Sequence, residues 1–319
     1  MSVLVGIDEA GFGPILGPLV VSSSSFFVSG DFLQTDLWQV LRKSIGDKRR
    51  QLSGRLLITD SKKAYNKSTG IKHLERTVIS VMRILGMEPS MLSDLVEYLC
   101  PDSFGRLKKY PWYHDVEDSR LSHDVADIKI ASHVLSNDLN SNNMKVLDVR
   151  SCCLDVQYYN RLVDAVKNKA NVLFTATSQL IQRAYDNYAG EDLHIIIDRQ
   201  GGRTHYRNNL QLMFPHMRLT ILSENPTVSS YELATNKGAM RLHFKVGADI
   251  KYLPVSLASM ISKYLRELLI DSINRYFAGF NPDLRPTAGY WKDGLRFIED
   301  LRTVIPHVKY SNEQLIRSR

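Results

Sequence analysis

Residues 2–21 read SVLVGIDEAGFGPILGPLVV. The first seven, SVLVGID, have the pattern of a strand, and LVVSSSSFFV (19–28) supplies its hairpin partner after a glycine-rich turn. The unusual feature lies at the join. The apolar run ends in adjacent acids, Asp8 and Glu9, and Gly11, Gly13, Pro14, Gly17 and Pro18 follow at once. An acid at a strand end stands on the rim of a sheet, where a substrate can reach it. Glycine lets a bulky ligand approach the backbone closely.

The same arrangement recurs far along the chain. DLHIIIDRQGGR (192–203) is a buried strand that ends at Asp198 and is followed by Gly201 and Gly202. Other segments can be placed around these two. RLLITDSKKAYN (55–66) reads as a short strand leading into Asp60-Ser61-Lys62-Lys63. Ser68 is the expected start of a helix in which Ile71, Leu74, Val78, Val81, Met82 and Leu85 keep a helical period. LVDAVKNKANVLFTATSQLIQRAYDNYA (162–189) has helical spacing in its second half, and RLTILSE and MRLHFKV read as two further strands. VSLASMISKYLRELLIDSINRYF (255–277) is the clearest helix, with Leu257, Ile261, Leu265, Leu268 and Ile273 on its apolar side and Pro282 and Pro286 beyond it. GYWKDGLRFIEDL (289–301) predicts a last helix. From Gly86 to Asn143 the pattern is irregular and polar, which predicts an insertion carrying some helix, not a separate core. The sum is an α/β protein with one mixed sheet.

Bulk properties bound the function. The chain has 319 residues, 44% hydrophobic and 24% charged, which suits a folded globular protein, not a disordered one. A net charge of +7 and a pI of about 9.2 lean toward polyanionic partners. Cys100, Cys152 and Cys153 have no disulfide or zinc spacing, so reduced thiols in a cytoplasmic compartment are expected. The N-terminus lacks a basic region and an uninterrupted apolar core, which argues against a signal peptide, and ILGPLVV is too short to span a bilayer.

Carboxylates drawn together from distant segments repel unless something positive lies between them. Hard divalent cations fill that role with oxygen ligands. Two such ions can clamp the attacking and leaving oxygens of a phosphoryl displacement. Taken alone, either acid-glycine motif also fits an ordinary turn.

In order along the chain, GIDEAGFGPILGPLVV, TDSKKAYNK, NVLFTATSQLIQRA, IIIDRQGG, SLASMISKYLRE and TAGYWKDGLRFIEDL resemble the motifs of ribonuclease HII, the type 2 ribonuclease H family. The resemblance covers about 200 residues by this reading and implies a ribonuclease H-like fold, a mixed central sheet flanked by helices. It divides the chain into a catalytic domain (1–87 and 151–305), an insertion (88–150) and a tail (306–319). It implies a metal-dependent endoribonuclease that hydrolyses RNA in RNA–DNA hybrids with Mg²⁺ or Mn²⁺, giving 3′-hydroxyl and 5′-phosphate ends. Asp8, Glu9 and Asp198 match three of the family's catalytic, metal-holding acids, and Glu267 matches the fourth with one extra methylene. Asp271, one turn later, is the alternative.

For substrate binding the resemblance points to Gly11, Phe12, Gly13, Lys62, Lys63, Lys263 and Tyr290, the tyrosine set against the sugar at the scissile junction. Arg266 can touch substrate or form a salt bridge. One departure stands out: the family loop has arginine between its glycines, and here that residue is Phe12. A phenyl ring makes no charge-assisted contact to phosphate; it can stack on a base or sugar or pack into the core. Other readings follow from that departure. One is a nuclease of the same fold acting on other structured DNA or RNA, and another is a non-catalytic nucleic-acid-binding module. A protein partner could dock on 88–150. The His114, Asp115, His123, Asp124 and Asp127 group fits no zinc spacing, Cys152 and Cys153 have no identifiable base beside them, and Lys48, Arg49 and Arg50 could extend a nucleic-acid contact.

Overall fold

The computed structural model describes residues 2–29, 35–65 and 69–318. β1 (Ser2–Ala10) and β2 (Leu19–Val28) form the expected hairpin, in antiparallel register from Ser2↔Val28 to Ala10↔Val20. After α1 (Leu37–Val40), β3 (Ile45–Gly46) pairs in parallel with β4 (Leu56–Leu57). α2 (Ser61–Ala64) starts at Asp60, whose side chain accepts from the Lys62 amide as an N-cap. α3 (Lys72–Ile84) buries Leu74, Val78, Val81 and Met82 as their spacing predicts; Ser68 lies outside the described residues.

The 88–150 segment holds more regular structure than its sequence suggests. It contains α4 (Leu92–Leu99), α5 (Pro101–Leu107), a 3₁₀ turn over Pro111–Glu117 and the 17-residue α6 (Val125–Ser141). β5 (Lys145–Leu154) crosses the expected boundary at 150 and pairs with β2. The pattern is blurred because α6 buries Ser132 and Asp138 beside Ile128, Leu135 and Leu139, while Ile130 and Val134 face outward. Buried Asp138 is satisfied by the Ser44 amide at 3.0 Å and hydroxyl at 2.7 Å. In the YPWYHD stretch Tyr110, Trp112 and Tyr113 are core residues, and Trp112 packs on Tyr276 and Phe277. This segment therefore shares the core of the rest.

The second half follows the expected order with further elements added. α7 (Val156–Val166) and α8 (Lys169–Tyr188) are separated by Lys167 in a left-handed conformation. β6 (Asp192–Asp198), α9 (Arg207–Met213), β7 (Arg218–Glu224), β8 (Val228–Thr235) and β9 (Gly238–Lys245) come next; α9 and β8 had not been anticipated. α10 (Leu253–Ala278) is the 26-residue helix of the SLASMISKYLRE motif, followed by α11 (Trp291–Val304) and α12 (Asn312–Leu315).

The seven-stranded sheet has the order β5-β2-β1-β6-β9-β8-β7. β1, β6 and β9 run parallel at its centre, and the flanking pairs are antiparallel. Helices cover both faces, α3 and α10 on one and α7 and α8 on the other, each over its own apolar cluster. The chain is a mixed α/β protein, as its sequence implies. α10 lies directly on β1: a Cβ on Gly6 would stand 2.2 Å from the backbone of Pro254 and Val255. Small residues on β2 serve the same approach, and the Ser24 hydroxyl donates to the Pro254 carbonyl at 2.7 Å. No helix among the described residues is long and apolar enough to cross a membrane.

Candidate active site

Parallel neighbours bring their carboxyl ends to the same rim of a sheet, the usual place for ligands in open α/β sheets. The register Ile7↔Ile197 sets Asp8 level with Asp198, and both project to the α10 face, opposite the isoleucines that precede them. Glu9 follows on the other face and is half-buried. Asp8 is only 7% exposed. One of its oxygens accepts from the Glu9 amide at 2.8 Å, and the Ser262 hydroxyl of α10 donates to the Asp8 carbonyl at 3.0 Å.

These acids raise one another. Burial pushes the Asp8 carboxyl well above the usual carboxylate range, with Glu9 and then Asp198 adding to it; hydrogen bonds from Ser259 and the Glu9 amide oppose the rise. Burial and Asp198 push Glu9 up to about 7. Burial, followed by Asp249, pushes Asp198 up to about 6 against hydrogen bonds from backbone amides, including that of Ala248 at 2.7 Å. Asp249 is itself raised by burial and by Asp60, while Lys62 and Lys63 pull it down.

Asp249 was missed from sequence. The signal was there: a strand, MRLHFKV, followed by Gly247-Ala248-Asp249, the same strand-then-acid arrangement as the first two motifs. Nothing in that arrangement tells which of several strand-end acids will share a corner; the parallel pairing of β6 with β9 does.

Glu267 occupies different surroundings on α10. Its Oε1 accepts from Lys263 Nζ at 2.6 Å and lies 3.3 Å from Arg266 Nη1, so its charge is already paired. Lys263 also sits 4.8 Å from the Tyr65 ring centre, and Arg266 5.5 Å from that of Tyr290. Asp271, the alternative, is exposed and pairs with Arg275 at 2.8 Å. Tyr290 is exposed beside Gly289, and Lys62 and Lys63 are exposed on α2, close to the acid corner. Phe12 is half-buried against the α8-side core with Lys169 Nζ 5.2 Å from its ring, and Gly13 is open to solvent. Of the remaining candidates, Asp115 pairs with Arg275, Asp127 with Arg76, and Asp124 caps α6.

The donor chemistry at the corner suits a hard divalent cation: carboxylate oxygens only, buried, and held in mutual repulsion. Among the described residues no three carboxylate, imidazole or thiol groups stand close enough together to hold an ion as they are placed, so binding requires side-chain rotation at the rim.

No protein-family model matches the chain, and no curated protein matches it. Solved structures similar in shape include RNase HII from Archaeoglobus fulgidus in complex with PCNA, at 15% identity over 99% of this chain and 94% of that one, with a TM-score of 0.46. Ribonuclease H2 from Pyrococcus horikoshii OT3 is similar at 15% identity, over 98% and 92% of the two chains, with a TM-score of 0.42. Bst-RNase HIII in complex with Mn²⁺ is similar at 14% identity, over 99% and 66%, with a TM-score of 0.41.

Proposed function

We propose that this chain is a divalent-metal-dependent endonuclease of the ribonuclease H-like type that hydrolyses RNA in RNA–DNA hybrids, leaving 3′-hydroxyl and 5′-phosphate ends. The acid corner carries the reading: burial raises the carboxyls of Asp8, Glu9 and Asp198, from two adjacent parallel strands, above their ordinary range, and neighbouring acids add to the rise. Such clusters cost stability unless a cation is their working partner. When bound, Mg²⁺ or Mn²⁺ ions supply acidified water and positive charge for the leaving oxygen.

The remaining tasks fall to the chain's own groups. Asp8, Glu9 and Asp198 would hold the ions, with Asp8 kept in orientation by the Glu9 amide. Glu267 joins them when Lys263 turns from it to a substrate phosphate. Gly11, Phe12 and Gly13 form the loop that takes the nucleic-acid backbone, Lys62 and Lys63 neutralise flanking phosphates, and the exposed Tyr290 ring stacks on the sugar. The 2′-hydroxyl marks the RNA strand. The cytoplasmic location expected from three free cysteines, and the division that sets 88–150 apart for a protein partner, belong to the same proposal.

Phe12 favours a second reading, cleavage of other structured DNA or RNA, because its ring is shared between core packing and Lys169 and offers no cation to a junction. The experiment is a cleavage panel of hybrid, single-ribonucleotide duplex, double-stranded RNA and DNA with Mg²⁺ and with Mn²⁺. Hybrid cleavage is expected; cleavage only of another duplex selects the second reading. No cleavage, with no divalent binding near millimolar concentration by calorimetry, leaves a nucleic-acid-binding module.

A further inference from the structure

The segment after α11, expected to be a plain tail, is built into the glycine loop. Leu315 is fully buried, and Ile316 forms an antiparallel bridge with Leu16. The Arg317 amide donates to the Ile15 carbonyl at 2.8 Å. Asn160 of α7 pins the segment from the other side: its amide group donates to the Ile316 carbonyl at 2.9 Å, and its oxygen accepts from the Ser318 amide at 2.7 Å. The Arg317 side chain, 4% exposed, then runs under the loop and lies 4.2 Å from the Tyr159 ring centre. Its Nη1 donates to the Gly11 carbonyl, and its Nη2 to the Phe12 carbonyl at 3.1 Å.

We propose that Arg317 is a positioning residue for the Gly11–Gly13 loop: by drawing two consecutive carbonyls inward it turns the Phe12 and Gly13 amides outward to receive a substrate phosphate. The reason is peptide geometry. In a planar trans peptide the C=O and the following N–H point in opposite directions. A guanidinium that holds the Gly11 and Phe12 oxygens therefore aims the next two N–H groups away from itself. Among the described residues neither of those N–H groups has a protein acceptor. Successive outward amides make an anion-binding concavity.

Two features make the hold firm. Among the described residues no carboxylate forms an ion pair with Arg317, so the loop carbonyls, together with Tyr159, compensate its buried charge, and releasing the carbonyls would leave it poorly compensated. On the opposite side Arg266 closes the loop in: it is fully buried, donates to the Ala288 carbonyl at 3.0 Å, and leaves no space for a Cβ on Gly11, which would stand 2.7 Å from its Nε. Gly11 has φ +93°, a conformation that suits glycine. With phenylalanine at position 12, the loop thus gains its order from an arginine about 300 residues away, which contacts carbonyls and not substrate.

The inference rests on the nuclease reading, and its test separates the two. Steady-state cleavage and amide hydrogen exchange over residues 10–17 are measured for wild type, Arg317→Lys and Arg317→Ala. Arg317→Ala is expected to raise KM by about tenfold with kcat nearly unchanged, and to speed exchange in the loop. Arg317→Lys, which keeps the charge but loses the two-pronged geometry, should recover part of both. If Arg317→Ala does not fold, Asn160→Ala loosens the segment without touching the loop and should show the same changes on a smaller scale. Unchanged KM and unchanged loop exchange in a folded variant would overturn the inference. If wild type cleaves nothing, the nuclease reading fails, while the exchange data still decide whether Arg317 orders the loop.

Discussion

Two groups of charge in this molecule behave in opposite ways. At the strand ends burial raises the carboxyls of Asp8, Glu9, Asp198 and Asp249, and neighbouring acids add to the rise. On α10 Glu267 is held between Lys263 and Arg266. The first group costs the fold stability, a cost that a bound cation would offset under the proposed function. The second stabilises the helix surface as placed and must open before Glu267 can take part in chemistry. The difference shows that a motif match assigns residues to a site, while the charge around each residue decides its resting state.

The contrast can be broken most severely at Asp8. Asp8→Asn should reduce Mg²⁺- or Mn²⁺-dependent cleavage to background while leaving hybrid binding intact or tighter, and should raise the Tm of the metal-free protein, since one repelling buried charge is gone. Cleavage assays, filter binding and thermal melts check the three parts. Retained full activity would remove the corner from the chemistry.

Glu267→Gln should act in the reverse sense on stability. It leaves Lys263 and Arg266 without their counter-charge and should lower stability by about 1–3 kcal/mol in urea melts. Activity should fall less than in Asp8→Asn. A Tm increase would mean that Glu267 belongs electrostatically to the corner.

The pH dependence sharpens the same comparison. Glu9 rises to about 7 and Asp198 to about 6 in the folded chain, above their unfolded values near 4. Between those limits the folded state binds more protons than the unfolded one. Stability from these groups is therefore complete below about pH 4 and is lost as pH climbs to about 7. Chelator-treated protein melted across that window should show the fall, and millimolar Mn²⁺ should flatten it. The smallest effect is expected at Asp249→Asn, which removes one neighbour from Asp198: a modest Tm increase without metal, and about a tenfold weaker divalent response by calorimetry. No change in either would set Asp249 outside the corner.

Much of the fold could be read because its decisive elements carry strong local patterns. SVLVGID and HIII are short apolar runs, LVVSSSSFFV is apolar at both ends of its serines, and the long helix of 255–277 repeats its apolar side over many turns. β8 is harder to read although Tyr231 and Leu233 alternate inward, because two serines, a glutamate and a threonine share the strand. The helices of 88–150 are blurred in the sequence because their buried faces include Ser132, which bonds back to the Lys129 carbonyl, and Ser103 and Asp138, whose polarity is cancelled by partners elsewhere in the chain. In the site, Asp8, Glu9 and Asp198 were legible from strand ends and glycines, whereas Asp249 and Arg317 were not.

By itself the sequence determined the hairpin, the buried strand that ends at Asp198, the glycine loop and the long helix, since each depends on periodicity and turn chemistry within a few residues. Tertiary structure alone decided that β6 lies against β1, that Glu267 rests on Lys263, and that a residue near the end of the chain holds the loop near its beginning. Those outcomes depend on strand register, on burial that strengthens charge, and on hydrogen bonds across some 300 residues, none of which any local stretch encodes.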